Sequence, residues 1–283
     1  MADAASKKLK KNRRGRRGGK GSCSSNSSNK FSIFLSNVRG ARSKLLSLQA
    51  IVNNPDVNPE VVALVETNLR RSSKLNLEGY KSFCKNRQNG NMGGVAVLVK
   101  KSVSENAIKA GEGSDENEYL VTRHSQFAIP INIVTVYGEQ ESRSNVNEVN
   151  RKWNILMNEI LKIEERNEHV VICGDFNKMV GDIIPGNKPK VTHGGHLVRD
   201  FLSSGRYVLL NSSDKVTNGP FTRYEPSSPN SDERKSALDL FIVSKNLEKY
   251  FENMTIDNKL AMTPCKPRKK SKVEGSSRRI AET

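Results

Sequence analysis

Residues 170–177 read Val170, Val171, Ile172, Cys173, Gly174, Asp175, Phe176 and Asn177. A short, β-branched apolar run bounded by glycine is a buried strand rather than a helix. A strand with no polar face needs cover on both sides, which places it inside an α/β architecture. Gly174 lets the chain turn as the strand ends. Asp175 and Asn177 stand two apart on an extended segment and so point the same way. A carboxylate and an amide at a strand exit suit a site that holds a water, a metal or a phosphate. An ordinary Asp/Asn turn would read the same way.

The rest of the chain supplies partners for that strand. Apolar strands are expected at 31–37, 61–65, 95–99, 119–123, 131–137, 207–210 and 238–243, with weaker ones at 80–84 and 221–224. Helical spacing appears at 44–52, at 147–165 and from about 195 to 203. Residues 89–91 have hairpin-turn chemistry, and 111–118 form an acidic loop. Many short strands run consecutively between few helices. That pattern fits two sheets packed together with helices outside better than a doubly wound sheet.

Composition divides the chain into three. The formal net charge is +17, of which residues 1–30 carry +9 and residues 264–283 carry +5, leaving +3 for 31–263. The basic, Ser/Gly-rich segment 1–30 has almost nothing apolar to bury and reads as a disordered arm. Residues 264–283 read as a disordered basic tail. Flexible basic arms on a near-neutral folded part point to a polyanion, with nucleic acid ahead of anionic membrane. No apolar run spans a bilayer, and no apolar segment follows the first charges as a secretory signal requires. The four cysteines are scattered, against a zinc site or a disulfide framework. An intracellular, nuclear location is expected, with the basic arm as an import or nucleic-acid-binding signal.

Polar residues recur where strands end: Asn37, Glu66, Tyr137, Asp175, Asn177 and Asp239. Together with Met92-Gly93-Gly94 before a strand, Gly195-His196-Leu197, Phe221-Thr222-Arg223 and Ser236-Ala237-Leu238-Asp239, this ordered set resembles the endonuclease/exonuclease/phosphatase superfamily. In particular it resembles the apurinic-endonuclease-like domain of non-LTR retrotransposons. The resemblance covers about residues 31–262. It implies a four-layer α/β sandwich, two packed mixed β-sheets flanked by helices, and Mg²⁺-dependent cleavage of DNA phosphodiesters, with Mn²⁺ as an alternative ion. By resemblance, Glu66 is the metal ligand and Asn37 supports the metal and the scissile phosphate. Asp175 orients or deprotonates the attacking water, Asn177 bonds the phosphate, Tyr137 places its hydroxyl on the phosphate or on the nucleophile's network, and Asp239 orients a catalytic histidine.

The sequence departs from the family at that histidine. The family closes on a Ser/Thr-Asp-His tripeptide and one more strand, and these 283 residues hold no Asp-His pair. Either the tripeptide has drifted to Thr263-Pro264-Cys265, or the chain stops at Thr283 as its first member. Truncation is the preferred account, so the fold is expected to be C-terminally incomplete, with an unpaired edge beside Asp239. The expected function is an impaired retrotransposon-type DNA endonuclease. The alternatives are a non-catalytic nucleic-acid-binding relic, and a phosphatase acting on a lipid or inositol head group.

Overall fold

The computed structural model describes residues 31–88, 92–141, 145–217, 219, 222–225 and 234–256. The expected arm and tail, the turn at 89–91, Phe221 and the 263–265 tract lie outside them.

Four strands form the first sheet: β1 (Ile33–Asn37), β2 (Val61–Val65), β3 (Tyr80–Lys85) and β4 (Val95–Lys100), in the order β1-β2-β4-β3. β1 and β2 run parallel, joined by helix α1 (Leu45–Asn53); β4 runs antiparallel to β2 and β3. The second sheet uses β5 (Ala107–Glu112), β6 (Glu118–His124), β7 (Ile131–Tyr137), β8 (His169–Asp175), β9 (Tyr207–Leu209) and β13 (Asp239–Ser244), ordered β5-β6-β7-β8-β13-β9. Only β7 and β8 are parallel in this sheet, joined by helix α2 (Val146–Glu165). Helix α3 (His193–Ser203) follows β8. Two short pairs complete the described strands: β10 (Val216–Thr217) with β14 (Met254–Thr255), and β11 (Arg223–Glu225) with β12 (Arg234–Ser236).

The sheets pack face to face, with β2 over β7 and β8 and β4 over β6 and β7. Each outer face carries helices. Leu48 and Val52 of α1 pack on Val62, Leu64, Ala96 and Leu98. Leu156, Ile160 and Ile163 of α2 and Val198 of α3 pack on Val134, Val136, Val170, Ile172, Leu240 and Ile242. This is the expected α/β sandwich. It explains why β2 and β4 are apolar throughout: both faces are covered.

Strand parity then decides where the polar ends point. Val136, Ile172 and Leu240 face the helices. Their neighbours Tyr137, Asp175 and Asp239 therefore belong to the opposite faces, between the sheets. Phe34 packs toward α1, which turns Asn37 to the same interior.

Two expectations need correction. Gly111 and Glu112 end strand β5, and Glu118 opens β6, so the acidic loop is a shorter hairpin connection. β5 is an edge strand with Ile108, Lys109 and Ala110 exposed and a bulge between Lys109 and Gly111, so it lacks apolar alternation. The expected bare edge beside Asp239 is also absent. β9 pairs with Ile242, Val243 and Ser244. Where β9 gives out, the buried Asn211 takes over: its Nδ2 donates to the Asp239 carbonyl at 3.0 Å, and its Oδ1 accepts from the Phe241 N–H at 2.8 Å. One side-chain amide thus stands in for a strand residue.

Candidate active site

The parallel pairs β1/β2 and β7/β8 finish at one end of the sandwich, and β13 starts there. Asn37 is the hub. Its Nδ2 donates to Glu66 Oε1 and to Asp175 Oδ2, both at 2.8 Å, bridging the two sheets. The Tyr137 hydroxyl donates to the same Glu66 Oε1 at 3.0 Å. Burial first, and then the Glu66 carboxylate, push the Tyr137 phenol well above its ordinary range, so it stays a donor. Both bonds fall on one oxygen of Glu66, and its Oε2 has no hydrogen-bond partner among the described residues.

Asp175 is buried, and both its oxygens accept hydrogen bonds. Oδ2 takes Asn37, and Oδ1 takes the Asn177 N–H at 2.9 Å. Asn177 Nδ2 donates to the Gly138 carbonyl at 2.7 Å, so one of its amide hydrogens is committed to fixing the segment after Tyr137. Glu66 (φ 53°) and Asn177 (φ 51°) both hold left-handed backbone. Non-glycine residues held there mark backbone strain of the kind found at functional sites. Gly174 is dictated by crowding: a Cβ there would lie 1.9 Å from the Val136 carbonyl oxygen across the β7/β8 pair.

Asp239 lies directly opposite Asp175 on the neighbouring strand. Thr222 Oγ1 accepts from the N–H groups of Leu238 and Asp239, both at 3.1 Å, and fixes the strand entry. Asp239 Oδ1 is buried without a hydrogen-bond partner among the described residues. Burial, and then the charge of Asp175, drive its carboxyl well above the usual carboxylate range. No histidine answers it. His124 and His169 sit at the far end of the sheet, and the His193 ring bonds Asn150 Oδ1 at 2.7 Å.

Around this centre lie residues the sequence did not single out. Glu118, almost fully buried, accepts from Arg87 Nε at 2.8 Å and from the Gly94 N–H at 2.9 Å, a second tie between the sheets. A Cβ on Gly93 would come within 2.5 Å of the Glu118 carboxylate, which accounts for the Gly-Gly pair before β4. Lys178 donates to the Glu139 carbonyl at 3.1 Å and pairs with Glu141 at 3.3 Å, while Glu141 also accepts from the Gly194 N–H at 2.8 Å. The His193-Gly194-Gly195-His196 tract therefore opens α3, capped by Thr192, and makes room for this clasp.

Among the described residues, no three His, Cys, Asp or Glu groups converge to chelate one ion. One carboxylate with a free oxygen, steadied by an amide and a phenol, is a donor set that suits a hard cation keeping most of its own water.

The family model for the Endonuclease/Exonuclease/phosphatase family matches residues 35–253. The chain belongs to that family. The fold agrees with solved structures of low identity. An AP endonuclease from Leishmania major shares 16% identity at a TM-score of 0.59, over 78% of this chain and 80% of that one. The endonuclease domain of TRAS1, a telomere-specific non-LTR retrotransposon, shares 15% at 0.54, over 78% and 88%. The APE2 catalytic domain of Xenopus laevis shares 18% at 0.59, over 77% and 83%. No curated protein matches the chain.

Proposed function

We propose that the chain is a metal-dependent DNA endonuclease domain of retrotransposon type, impaired in its chemical step. One observation carries the reading: Asn37, Glu66, Tyr137 and Asp175, from four separate strand exits, form one hydrogen-bonded group at one rim. Glu66 would hold the ion through its free oxygen. A bound Mg²⁺, or Mn²⁺ in its place, supplies Lewis-acid stabilisation of charge on the phosphate. Asn37 and Tyr137 fix the rotamer of Glu66. Asp175, acceptor-only when ionised, orients the attacking water and draws its proton. Asn177 holds the Asp175 carboxylate and the backbone after Tyr137. The structural neighbours named as AP and retrotransposon endonucleases support DNA as the substrate class, and a basic first segment supports a nuclear setting.

The impairment rests on Asp239. Its buried acceptor faces a site to which none of the four histidines contributes. Losing one transition-state donor costs on the order of 10²- to 10³-fold in rate. The same observation favours a second reading, a nucleic-acid-binding relic with no turnover. A phosphatase acting on a lipid or inositol head group is the third, and phosphate release from such a head group in place of plasmid nicking would select it.

The deciding experiment is nicking of supercoiled plasmid with Mg²⁺ by the full chain, by Glu66→Gln and by Asp175→Asn. Slow nicking lost in both near-isosteric variants supports the endonuclease. DNA binding without nicking, even at high enzyme concentration, supports the relic. Nicking that survives both substitutions refutes the site.

A further inference from the structure

Glu66 holds backbone that does not suit it. Left-handed backbone costs a residue with a Cβ about 1 to 2 kcal/mol, yet Glu66 stands at φ 53°. Among the described residues, the non-glycine positions with positive φ at the rim are Arg39, Glu66, Asn68 and Asn177. The two asparagines belong to a type that visits this conformation readily. Glu66 does not, so its neighbours must hold it there.

They do so from two directions. The Glu66 and Thr67 carbonyls accept from the N–H groups of Gly40 and Ala41, both at 2.8 Å. On the other side, the Thr67 N–H donates to the Gly94 carbonyl at 3.1 Å, and the Asn68 N–H to the Gly93 carbonyl at 2.7 Å. Asn68 then closes the ring, because its side-chain Oδ1 accepts from the Gly93 N–H at 2.7 Å. One residue thus grips both backbone groups of Gly93. Gly93 (φ 101°) and Gly94 (φ 88°) give the turn before β4 a shape that glycine adopts without strain. Asn68 locks the segment after β2 against that turn. The rest of the loop is anchored separately. The buried Asn86 turns its Nδ2 on three carbonyls, those of Arg70 and Arg71 at 3.0 Å and of Ser73 at 2.7 Å. Loss of the Asn68 side chain therefore frees the stretch that carries Glu66 and leaves the loop beyond it in place.

We propose that Asn68 is a positioning residue for the metal site. Through Gly93 it sets the direction in which Glu66 leaves β2, and so the aim of the free Oε2, without touching the ion. This rests on the metal-dependent reading above. Asn37 and Tyr137 fix the carboxylate end of the Glu66 side chain, and Asn68 fixes the backbone end. Partners one step removed from a metal ligand carry about 10- to 100-fold in metal affinity.

The test is Mn²⁺ binding by the full chain without nucleic acid, read from the EPR signal of the free ion, so that no turnover enters the measurement. Asn68→Gly keeps the left-handed backbone and loses the acceptor. It should bind Mn²⁺ at least about tenfold more weakly than wild type. Asn68→Ala also loses the acceptor, without glycine's flexibility; it should show the same loss and stands in where Asn68→Gly does not fold. Asn68→Asp keeps both features and should bind at least as tightly as wild type, its added charge favouring the cation. Asn58→Gly makes the same exchange at a left-handed asparagine at the opposite end of β2, where its Oδ1 accepts from Lys100 Nζ at 2.8 Å. It should leave Mn²⁺ affinity unchanged whatever it does to the urea midpoint. Wild-type affinity in the folded Asn68→Gly or Asn68→Ala protein, or a loss of the same size in Asn68→Asp or Asn58→Gly, overturns the positioning role. Glu66→Gln separates that failure from failure of the metal reading: if wild type and Glu66→Gln bind Mn²⁺ alike, Glu66 is no ligand and both fall.

Discussion

Replacing Asp239 by Asn should stabilise this protein at neutral and alkaline pH. The carboxyl sits opposite Asp175, one of its oxygens is buried without a partner among the described residues, and like charges directly across a strand pair repel. Its folded-state ionisation is raised above the unfolded value, by burial first and by Asp175 second. The sign follows from linkage. As pH rises, the unfolded chain releases this proton near pH 4, while the folded chain still holds it. Stability from this group is therefore full below the unfolded value and is lost progressively as pH climbs through the folded one. An ionised carboxylate oxygen left buried without a donor costs about 1 to 3 kcal/mol. Asparagine keeps the shape, carries no charge and turns an N–H toward Asp175. Urea denaturation in EDTA at about pH 3, 6, 7 and 8 measures the effect. The variant should match wild type at about pH 3, below the unfolded value, and exceed it by about 1 to 3 kcal/mol at about pH 8. A difference that does not change with pH, or a variant weaker than wild type at pH 8, would refute this reasoning.

Millimolar imidazole should raise plasmid nicking by the wild-type chain and leave Asp239→Ala unaffected, because the buried Asp239 oxygen is an acceptor for a ring N–H; equal response of both proteins would remove that acceptor role. Glu168→Gln should cost on the order of 1 to 2 kcal/mol at pH 7, allowing for solvent screening, as seen in thermal melts. Burial opposes its ionisation, but Arg123, Asn132 and Arg166 outweigh it and hold the carboxyl down at about 2, so that contribution is present above pH 4.5 and fades as pH falls toward 2. Gly174→Ala should prevent native folding, since the β7/β8 pair would have to part to clear a 1.9 Å contact; a cooperative melt at the wild-type temperature would contradict that.

Much of the architecture was legible because it rests on short-range pattern. The apolar runs at β2, β4 and β8 are buried on both faces, and α1 and α2 keep a helical stripe, so periodicity found them. β5 escaped because an edge strand with three consecutive exposed residues shows no alternation. The six site residues were legible as strand-end polar groups. The structure joins five of them, Asn37, Glu66, Tyr137, Asp175 and Asn177, by direct hydrogen bonds and sets Asp239 across from Asp175. What the sequence concealed is everything that depends on tertiary neighbours. Asn211 sits in a triplet that looks like a glycosylation acceptor, yet it completes the edge of β13. Lys178 follows the Gly-Asp-Phe-Asn motif as an ordinary basic residue, yet it is enclosed by Glu139 and Glu141. Asn86 gave no signal, because a single polar residue after a strand is indistinguishable from a turn until its three carbonyl partners are in place.

The site's polar residues also hold the sandwich together, and this changes what their presence means. Asn37 to Asp175 and Tyr137 to Glu66 are bonds between one sheet and the other, as are Arg87 to Glu118 and Glu118 to the Gly94 N–H. Removing Asn37 would leave the buried Asp175 Oδ2 short of a donor, a cost of about 1 to 3 kcal/mol, and would leave the half-buried Glu66 with Tyr137 alone. A chain that had given up catalysis would still need them to keep its sheets in register. The intact cluster therefore supports the site's identity, while its structural role means that it does not by itself separate a working endonuclease from a binding relic. Asp239 behaves in the opposite way. Its ionised form weakens the fold, its Oδ1 bonds nothing among the described residues, and a neutral residue would serve the strand better. Among the six residues it is the one whose presence stability does not explain, so Asp239 is where the endonuclease and relic readings part: a response of nicking to added imidazole that requires Asp239 favours the former.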